Sequence, residues 1–375
     1  MQQSDTQRFI EQNCSNVKAR ARAALINLYI GDALSMPVHW FYNPGDIIRA
    51  FPPHGIQGMQ AAPLHHPSSI MALHSTTGGG RTKKPAREET EVVGKIILKG
   101  KRQWWGLANG HYHQGMQAGE NTLNACLARR LMNSVSDSAD YDVNKWVQEY
   151  IDFMTADPAQ HPDTYAESCH RGFFANLQSG QMPLLCGAVT HDTPSMGALV
   201  SVAPLALALF PNYSLQHIQN RCREHVWLTH PDEGLMTVVD SYVALLAALL
   251  IRDESTPCLD ILEQAVQVIP GTSLVKLMSS NKGDAHVVGR TYSLACYISD
   301  SWPSVCYLAA KYQDDARKAM LTNTNLGGEN AHRGSVLGTI VGLTSAAYDQ
   351  PLYESLAQHS HLDAEITAWM NRFYP

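Results

Sequence analysis

Two short segments, far apart in the chain, place side chains that can bind a metal or move a proton just before an apolar helical pattern. The first, HYHQGMQAGENTL, runs from His111 to Leu123, and the second, NLGGENAHRGSVLG, runs from Asn325 to Gly338. Glycine in both allows the backbone to come close to a ligand. A helix start favours oxygen-bearing groups, so simple capping is the alternative. We predict that the two starts face each other across a cleft and form a metal or phosphate site.

A third candidate, Asp32, belongs to the segment YIGDALSMPVHWFY. It lies four residues after Leu28 and seven after Leu25, so helical spacing places its carboxylate on the apolar face of the first helix. A buried carboxylate is costly unless it is paired, hydrogen-bonded or bound to a metal. Asp32 is therefore either a ligand of the site or an internal hydrogen-bonding residue.

Histidine is frequent, with 17 among 375 residues. It titrates near neutrality and is the commonest metal ligand, although most of these residues are expected to be structural or to lie on the surface. His65, His66 and His74 fall in residues 51–89, a region rich in Gly, Pro, Ser and Thr. Such a composition is incompatible with a helix. We predict a long loop that forms a lid over the site.

Composition excludes several classes of protein. The net charge of −6, with 17% charged residues, provides no basic surface for nucleic acid. The N-terminal stretch has no apolar signal region, and the longest apolar run, Tyr242 to Ile251, is too short to span a bilayer. The eight cysteines show no C-x-x-C spacing, which favours reduced thiols. We predict a cytoplasmic protein that acts on a small molecule, with no nucleic-acid or membrane partner. Its oligomeric state is left open.

Apolar residues recur with helical spacing through most of the chain, and patterns typical of strands and hairpins are scarce. The predicted helices cover residues 17–36, 120–135, 195–209, 235–251, 304–319 and 334–348. No internal repeat and no interdomain linker is evident. The sequence therefore predicts one all-α domain over residues 1–375, with the lid at about 51–89.

The order of five motifs resembles the ADP-ribosylglycohydrolase family, which includes the dinitrogenase reductase-activating glycohydrolases. GDALSMP resembles the opening GDALG-x-P of the family, and HYHQGMQAGENTL stands where the family has a Thr-Asp-Asp-Thr metal motif. PSMGALVSVAPLALAL and LTHPDEGLMTVVDSYVALLAALL resemble two helical motifs. GGENAHRGSVLGTIVGL resembles the closing G-G-D-T-D-T segment. Each motif alone is weak, and together they span roughly residues 25–343.

The resemblance implies a single-domain, all-α orthogonal helical bundle, a dinuclear Mg²⁺ centre, and hydrolysis of an N- or O-glycosidic bond to ADP-ribose. The sequence departs from this pattern at the metal motifs. The Thr-Asp-Asp-Thr motif becomes Gly119, Glu120, Asn121 and Thr122, and the Asp-Thr-Asp-Thr motif becomes Glu329, Asn330, Ala331 and His332. The acidic residue often found after the opening motif is His39. With fewer anions, two Mg²⁺ ions would lack charge compensation and oxygen ligands.

Three functional hypotheses remain open. The first is a hydrolase of a glycosidic or related bond in an ADP-ribose-like or nucleotide-related molecule, with one divalent ion (Mg²⁺ or Zn²⁺) or none. The second is a Mg²⁺-dependent ADP-ribosyl hydrolase with substituted ligands. The third is an inactive protein that binds a small molecule.

We assign the candidate site residues by role. The predicted catalytic residues are Glu120, Glu329 and His332. The predicted substrate-binding residues are Asp32, His39, His113, Asn121, Asn330 and Arg333, with Arg333 binding an anionic group. The predicted metal ligands are Asp32, Glu120, Thr122 and Glu329.

Overall fold

The computed structural model describes residues 14–71, 73, 91–138, 140–190 and 192–375. The predicted lid is described only in part, and His74 lies outside the described residues. The described α-helices are α1 Cys14–Ser35, α2 Pro44–Ala50, α3 Leu123–Ser136, α4 Val143–Thr155, α5 Ser168–Gln178, α6 Val202–Leu209, α7 Leu215–Trp227, α8 Glu233–Leu250, α9 Cys258–Val266, α10 Leu274–Ser279, α11 Asp284–Val287, α12 Ile298–Lys311, α13 Ala316–Leu326, α14 Asn330–Ser345, α15 Gln350–Glu354 and α16 His359–Phe373. Short 3₁₀ turns are Met36–Val38, Arg102–Trp104, Pro183–Leu185 and Met196–Leu199.

Helix is the regular secondary structure of the described residues. Strand-like pairing there is limited to isolated bridges, such as the one between Ser195 and Tyr297. The all-α prediction is confirmed.

The central pair of helices, α1 and α14, packs with the two backbones in contact. A Cβ atom at Gly334 would lie 2.5 Å from the carbonyl oxygen of Gly31, and one at Gly338 would lie 2.1 Å from a carbonyl oxygen of α1. Both distances are shorter than van der Waals contact, so only glycine allows this approach. The contact brings the end of α1, which carries Asp32, beside the start of α14, which follows Glu329.

Most predicted helices are present within a few residues, but two predictions need correction. Residues 304–319 do not form one helix, because α12 ends at Lys311 and α13 begins at Ala316. The side chain of Asp315 accepts a hydrogen bond from the backbone N–H of Lys318, which caps the new helix. Residues 195–209 begin with the 3₁₀ turn Met196–Leu199 before α6.

Helix α8 is long and apolar enough, by length and composition, to cross a membrane. In the fold, 61% of its length is buried inside the protein, as is typical of a core helix. Leu235, Val239 and Leu246 on α8 belong to the large hydrophobic core of the described residues.

The described part of the predicted lid, residues 51–71, contains no helix. The buried imidazole of His66 donates from Nε2 to the carbonyl oxygen of His39 at 2.9 Å. The Ser68 hydroxyl donates to the carbonyl oxygen of Trp40 at 3.3 Å. His65 is exposed. This loop therefore packs on the segment that carries His39, and its role as a lid stays a prediction.

Candidate functional site

A cluster of buried imidazoles and carboxylates lies at the start of α14. Glu329 precedes the helix, His332 lies one turn further, and His39 follows the 3₁₀ turn after α1; all three are at most 3% exposed. The His332 Nδ1 atom is in ion-pair contact with a Glu329 oxygen, and His39 Nε2 lies 3.4 Å from the other oxygen. One potential ligand atom from each side chain lies within 4.8 Å of the other two. We call these three residues the His-Glu-His cluster.

One ring nitrogen of the cluster, His39 Nε2, has no hydrogen-bond partner among the described residues, while His332 Nδ1 and Glu329 Oε1 are in contact with each other. A buried polar atom without a partner is costly, so it commonly marks a bound ion, a water or a catalytic role. The His39 nitrogen converges with the contacting Glu329 and His332 side chains, so the three residues form a group that could hold a cation.

Charge in the cluster is distributed unevenly. Burial alone would raise the pKa of Glu329, but the His332 and His39 side chains hold it well below its usual value. Burial lowers the pKa of His39 to about 3, which keeps this ring neutral at pH 7. His332 behaves differently, because the carboxylates of Glu167 and Glu329 overcome its burial and raise its pKa to about 10. The position of His332 therefore attracts positive charge, either as a proton or as a metal ion.

A hydrogen-bonded chain behind His39 determines which nitrogen faces the cluster. Asp163 Oδ1 lies 2.8 Å from His113 Nδ1, and His113 Nε2 lies 2.8 Å from His39 Nδ1. Burial would raise the pKa of Asp163, but His113 and backbone N–H groups lower it to about 2, so Asp163 only accepts hydrogen bonds. His113 therefore donates from Nδ1 to Asp163, and with its ring proton there it accepts at Nε2. His39 must donate from Nδ1, which leaves its Nε2 lone pair pointing at the cluster.

Trp40 covers the cluster from outside. Its indole ring stacks on His39 with the ring centroids 3.7 Å apart, and its Nε1 donates to Glu329 Oε2 at 2.5 Å. The Trp40 backbone has φ of 63°, which is uncommon for a residue with a side chain and is frequent at functional sites.

The glycine pair before Glu329 holds this segment in place. The Trp40 N–H donates to the carbonyl oxygen of Gly328 at 2.8 Å, and the Gly328 N–H donates to Phe41 at 2.7 Å. Gly327 and Gly328 have φ of 75° and 67°, and a Cβ atom on either would lie within 2.3 Å of a backbone oxygen. Glycine is therefore required at both positions.

An open cavity of about 280 Å³ lies next to the cluster. Its described lining residues are Trp40, Tyr42, Ile70, Tyr112, Tyr165, Glu167, Ser168, Asp192, Ser293, Ala295, Cys296 and Tyr297. The rings of Trp40, Tyr112 and Tyr165 meet edge to face, with centroids 4.5 to 5.5 Å apart. Aromatic walls with a few polar groups are typical of a small-molecule site.

Glu167 connects the cavity with the cluster. Its side chain is 17% exposed, lines the cavity, and reaches to 3.8 Å from His332 Nδ1. Asn124 Nδ2 donates to Glu167 Oε2 at 2.8 Å. Burial and the nearby Glu329 charge raise the pKa of Glu167, although His332 opposes the shift. A carboxyl group with a raised pKa beside a cavity is suited to giving and taking a proton.

The donor set decides which ions fit. Magnesium takes oxygen ligands in a near-octahedral shell, and two Mg²⁺ ions need several carboxylates. Within ion-pair distance of the cluster imidazoles, the described residues place the carboxylates of Glu329 and Glu167. Two Mg²⁺ ions therefore fit this site poorly. One ion that accepts nitrogen ligands, such as Zn²⁺, fits the His-Glu-His cluster.

The other predicted helix start is arranged differently. Asp32 is fully buried and accepts hydrogen bonds from the Thr122 N–H at 2.8 Å, the Thr122 hydroxyl at 2.6 Å and Asn121 Nδ2 at 2.9 Å. Burial raises the pKa of Asp32, and these donors partly offset the shift. Asp32, Asn121 and Thr122 thus join α1 to α3. Glu120 accepts from the backbone of Gln117 at 2.7 Å and lines a separate cavity.

Two more predicted residues support the loop before α14. Arg333 is fully buried; its Nε donates to Asn323 Oδ1 at 2.6 Å and its Nη2 to the carbonyl oxygen of Gly327 at 2.8 Å. Asn330 Nδ2 donates to the carbonyl oxygen of Thr324 at 2.9 Å. The structure therefore brings Glu329, His332, His39 and His113 together. Glu120 lines a separate cavity, and the side chains of Asn330 and Arg333 form hydrogen bonds with the residues just before α14. The predicted roles of these three residues stay predictions.

Sequence reasoning missed Trp40, Asp163 and Glu167. Trp40 directly follows His39 and could have been found by its position. Asp163 and Glu167 lie in DTYAES, before α5, and two acidic residues around a tyrosine were the available signal. Their roles depend on contacts with His113 and His332, which are distant in sequence.

The fold is all-α, and the site is a buried cluster of imidazoles and carboxylates next to an aromatic cavity. The sequence model of the ADP-ribosylglycohydrolase family matches residues 13–364. The chain therefore belongs to the ADP-ribosylglycohydrolase family, which supports hydrolysis of ADP-ribosyl-type glycosidic bonds. Comparison with curated proteins finds no match.

A solved structure agrees with this fold. A chain described as "ADP-ribosylglycohydrolase-related protein complex" superimposes with a TM-score of 0.54 at 15% sequence identity. The match covers 96% of this chain and 99% of that chain. At this identity the likeness shows the fold alone.

Proposed function

We propose that this protein hydrolyses a glycosidic bond of an ADP-ribose-like small molecule in the aromatic cavity, with Glu167 as the acid and base and one divalent ion in the His-Glu-His cluster. One observation carries the proposal. The convergent side chains of His39, Glu329 and His332 lie beside a carboxyl group that also lines the cavity.

The hydrogen bonds behind His39 support the ion. The chain from Asp163 through His113 leaves His39 Nε2 unprotonated, 3.4 Å from a Glu329 oxygen. Two lone pairs at that distance repel each other unless a positive charge lies between them. A carboxylate–histidine chain behind a ligating nitrogen is a common arrangement at metal sites, because it orients the ring and raises its basicity.

The reaction requires one proton donor and one proton acceptor, and Glu167 can serve as both. In its protonated form it gives its proton to the leaving atom as the bond to the anomeric carbon breaks. The resulting carboxylate then accepts a proton from the water that bonds to this carbon, which restores the acid. A bound divalent ion would orient and acidify a water or polarise the sugar hydroxyls. Trp40 and Tyr165 would exclude bulk water from the cluster.

The metal assignment is tested without any activity measurement. We expect protein purified without chelator to contain one Zn²⁺ per chain, and His39→Ala to lose it. The exposed His65→Ala is the matched control and should retain the ion. Asp163→Asn should weaken Zn²⁺ binding by roughly 10- to 100-fold, because it frees the His113 and His39 rings. Stabilisation by two Mg²⁺ ions per chain, seen as a shift in melting temperature, would refute the single-ion assignment.

The catalytic assignment is tested with two probes, ADP-ribosyl-arginine for an N-glycoside and ADP-ribosyl-serine for an O-glycoside. Release of ADP-ribose from either is the readout. Glu167→Gln should lower turnover by roughly 10²-fold or more while ADP-ribose still binds, since glutamine keeps the shape but cannot transfer the proton. Binding of ADP-ribose without turnover of either probe by the unmodified protein would instead favour an inactive binding protein.

A further inference from the structure

A second hydrogen-bonded chain ends on Glu167 and starts in the protein interior. The Tyr150 hydroxyl lies 2.8 Å from His170 Nδ1, and His170 Nε2 lies 3.2 Å from Asn124 Oδ1. Asn124 Nδ2 donates to Glu167 Oε2 at 2.8 Å. Tyr150, His170 and Asn124 are 1%, 4% and 7% exposed, so their polar groups must be satisfied inside the protein.

The contact with Glu167 sets the direction of donation in this chain. Asn124 Nδ2 donates to Glu167 Oε2, which accepts both in the carboxylate and when the acid proton is on Oε1, so the amide oxygen of Asn124 faces His170. His170 must then carry its proton on Nε2. Burial lowers the pKa of His170 to about 3, so this ring is neutral and its Nδ1 accepts the Tyr150 hydroxyl proton. Each assignment follows from the one before it, and the chain begins at the Tyr150 hydroxyl, which donates to His170 Nδ1.

The surroundings of this chain favour a structural hydrogen bond over a metal site. A Cβ atom at Gly197 would lie 2.9 Å from Asn124 Nδ2 and 2.9 Å from Glu167 Oε2, so the backbone closes tightly over this hydrogen bond. Glu167, Cys169 and His170 lie close enough together to hold an ion. Both nitrogens of His170 are already engaged, however, which leaves no lone pair for a metal.

We propose that Tyr150, His170 and Asn124 are positioning residues that hold the Glu167 carboxyl group in the orientation needed for proton transfer. This inference rests on the proposed role of Glu167. Loss of the Tyr150 hydroxyl would free His170 to take the other tautomer. The Asn124 amide could then turn over and present its oxygen to Glu167, which would push the carboxyl group away from the substrate.

The same protein contains a matched control. The Tyr141 hydroxyl lies 3.1 Å from His225 Nδ1, and His225 Nε2 lies 2.7 Å from the Ser201 hydroxyl. This Tyr-His pair is also buried, and its histidine lines the same small interior cavity of about 40 Å³ as Tyr150 and His170. It ends on Ser201 instead of Glu167. Removing either tyrosine hydroxyl should therefore have a similar effect on stability. Only the loss of the Tyr150 hydroxyl changes the hydrogen bonds that lead to the Glu167 carboxyl group.

The experiment compares Tyr150→Phe with Tyr141→Phe on the two ADP-ribosyl probes. We expect Tyr150→Phe to lower kcat about tenfold with KM within about twofold, and Tyr141→Phe to change neither. His170→Leu should lower kcat by a similar factor, whereas His170→Gln should restore most of it, because its amide N–H can still donate to Asn124. Equal effects of the two tyrosine variants, or no effect of either, would overturn the inference.

A measurement independent of turnover completes the test. ¹⁵N NMR of the histidine rings should show His170 with its proton on Nε2, and Tyr150→Phe should produce a mixture of tautomers. A proton on Nδ1 in the unmodified protein would refute the positioning chain. The two proposals fail separately. Unchanged turnover in Glu167→Gln would refute the proposed role of Glu167, whereas an inactive Glu167→Gln with unaffected Tyr150→Phe would refute the positioning role alone.

Discussion

The starts of α3 and α14 look alike in sequence but differ in the folded protein. Both follow glycine and carry a Glu-Asn pair. At α3, Asn121 and Thr122 donate to the buried Asp32, and Glu120 turns back to the Gln117 backbone. At α14, Glu329 contacts the imidazoles of His332 and His39.

A polar residue at a helix start can bind a ligand only when its side chain is not already hydrogen-bonded to another group of the protein. Asp32 lies against α3 because α1 passes beside it, and it uses the polar groups there. The loop before α14 faces the carbonyl groups of Phe41 and Leu294, which bind the backbone of Gly328 and Glu329. The Glu329 side chain is therefore directed toward the cluster.

The largest expected effect comes from the start of α14. Glu329→Gln should lower turnover of the ADP-ribosyl probes by roughly 10³-fold, because it removes the anionic member of the cluster. Release of ADP-ribose is the measurement, and the exposed Glu354→Gln is the control. A loss smaller than about threefold would remove the functional distinction between the two helix starts.

The charge of His332 predicts a pH dependence of stability in protein treated with chelator. Its folded pKa of about 10 lies above the ordinary value of 6.5. A raised pKa of a base adds stability that is fully present below pH 6.5 and is lost as the pH rises through about 10. Urea unfolding between pH 6 and 10 should show this loss of several kcal/mol, and His332→Gln should flatten it. Equal slopes in the two proteins would contradict the assignment.

A substitution at the start of α3 should change the stability of the protein. Asp32→Asn turns an NH₂ group toward donors of Thr122 and Asn121, and should lower the free energy of unfolding by about 3 kcal/mol. The exposed Asp152→Asn provides the baseline in the same urea titration. A change below about 0.5 kcal/mol would mean that Asp32 does not hold this helix start.

Arg333→Lys distinguishes support of the loop from binding of an anion. Lysine has one ammonium group in place of the planar guanidinium, so it cannot donate to Asn323 and Gly327 at the same time in this geometry. The free energy of unfolding should therefore fall by about 1.5 kcal/mol. The affinity for ADP-ribose, measured by calorimetry, should stay within about twofold. A tenfold loss of affinity at unchanged stability would restore the predicted substrate-binding role.

The smallest effect is expected at Glu120. Its side chain is hydrogen-bonded only locally among the described contacts and lines a different cavity from the cluster. Glu120→Gln should change turnover less than about twofold and stability less than about 0.5 kcal/mol. A large loss of turnover would mean that both helix starts contribute to one site.

The all-α class, most helices and the family could be predicted from the amino-acid sequence, because helical periodicity and the order of motifs are read directly along the chain. It also selected Glu329, His332, His39 and His113 as candidates, since their residue types limit them to a few kinds of chemistry, and the fold places these four side chains together. The boundary between α12 and α13 was missed because Asp315, a single cap, decides it.

Which polar groups form hydrogen bonds inside the protein became evident only from the three-dimensional fold. Asp32 looks like a ligand in sequence, yet Thr122, 90 residues further along the chain, donates to its carboxylate. Glu167 looks ordinary in sequence, but the fold places it between His332 and the aromatic cavity. The physical reason is that the cost of burying a polar group depends on its surroundings, and these come from residues remote in the chain.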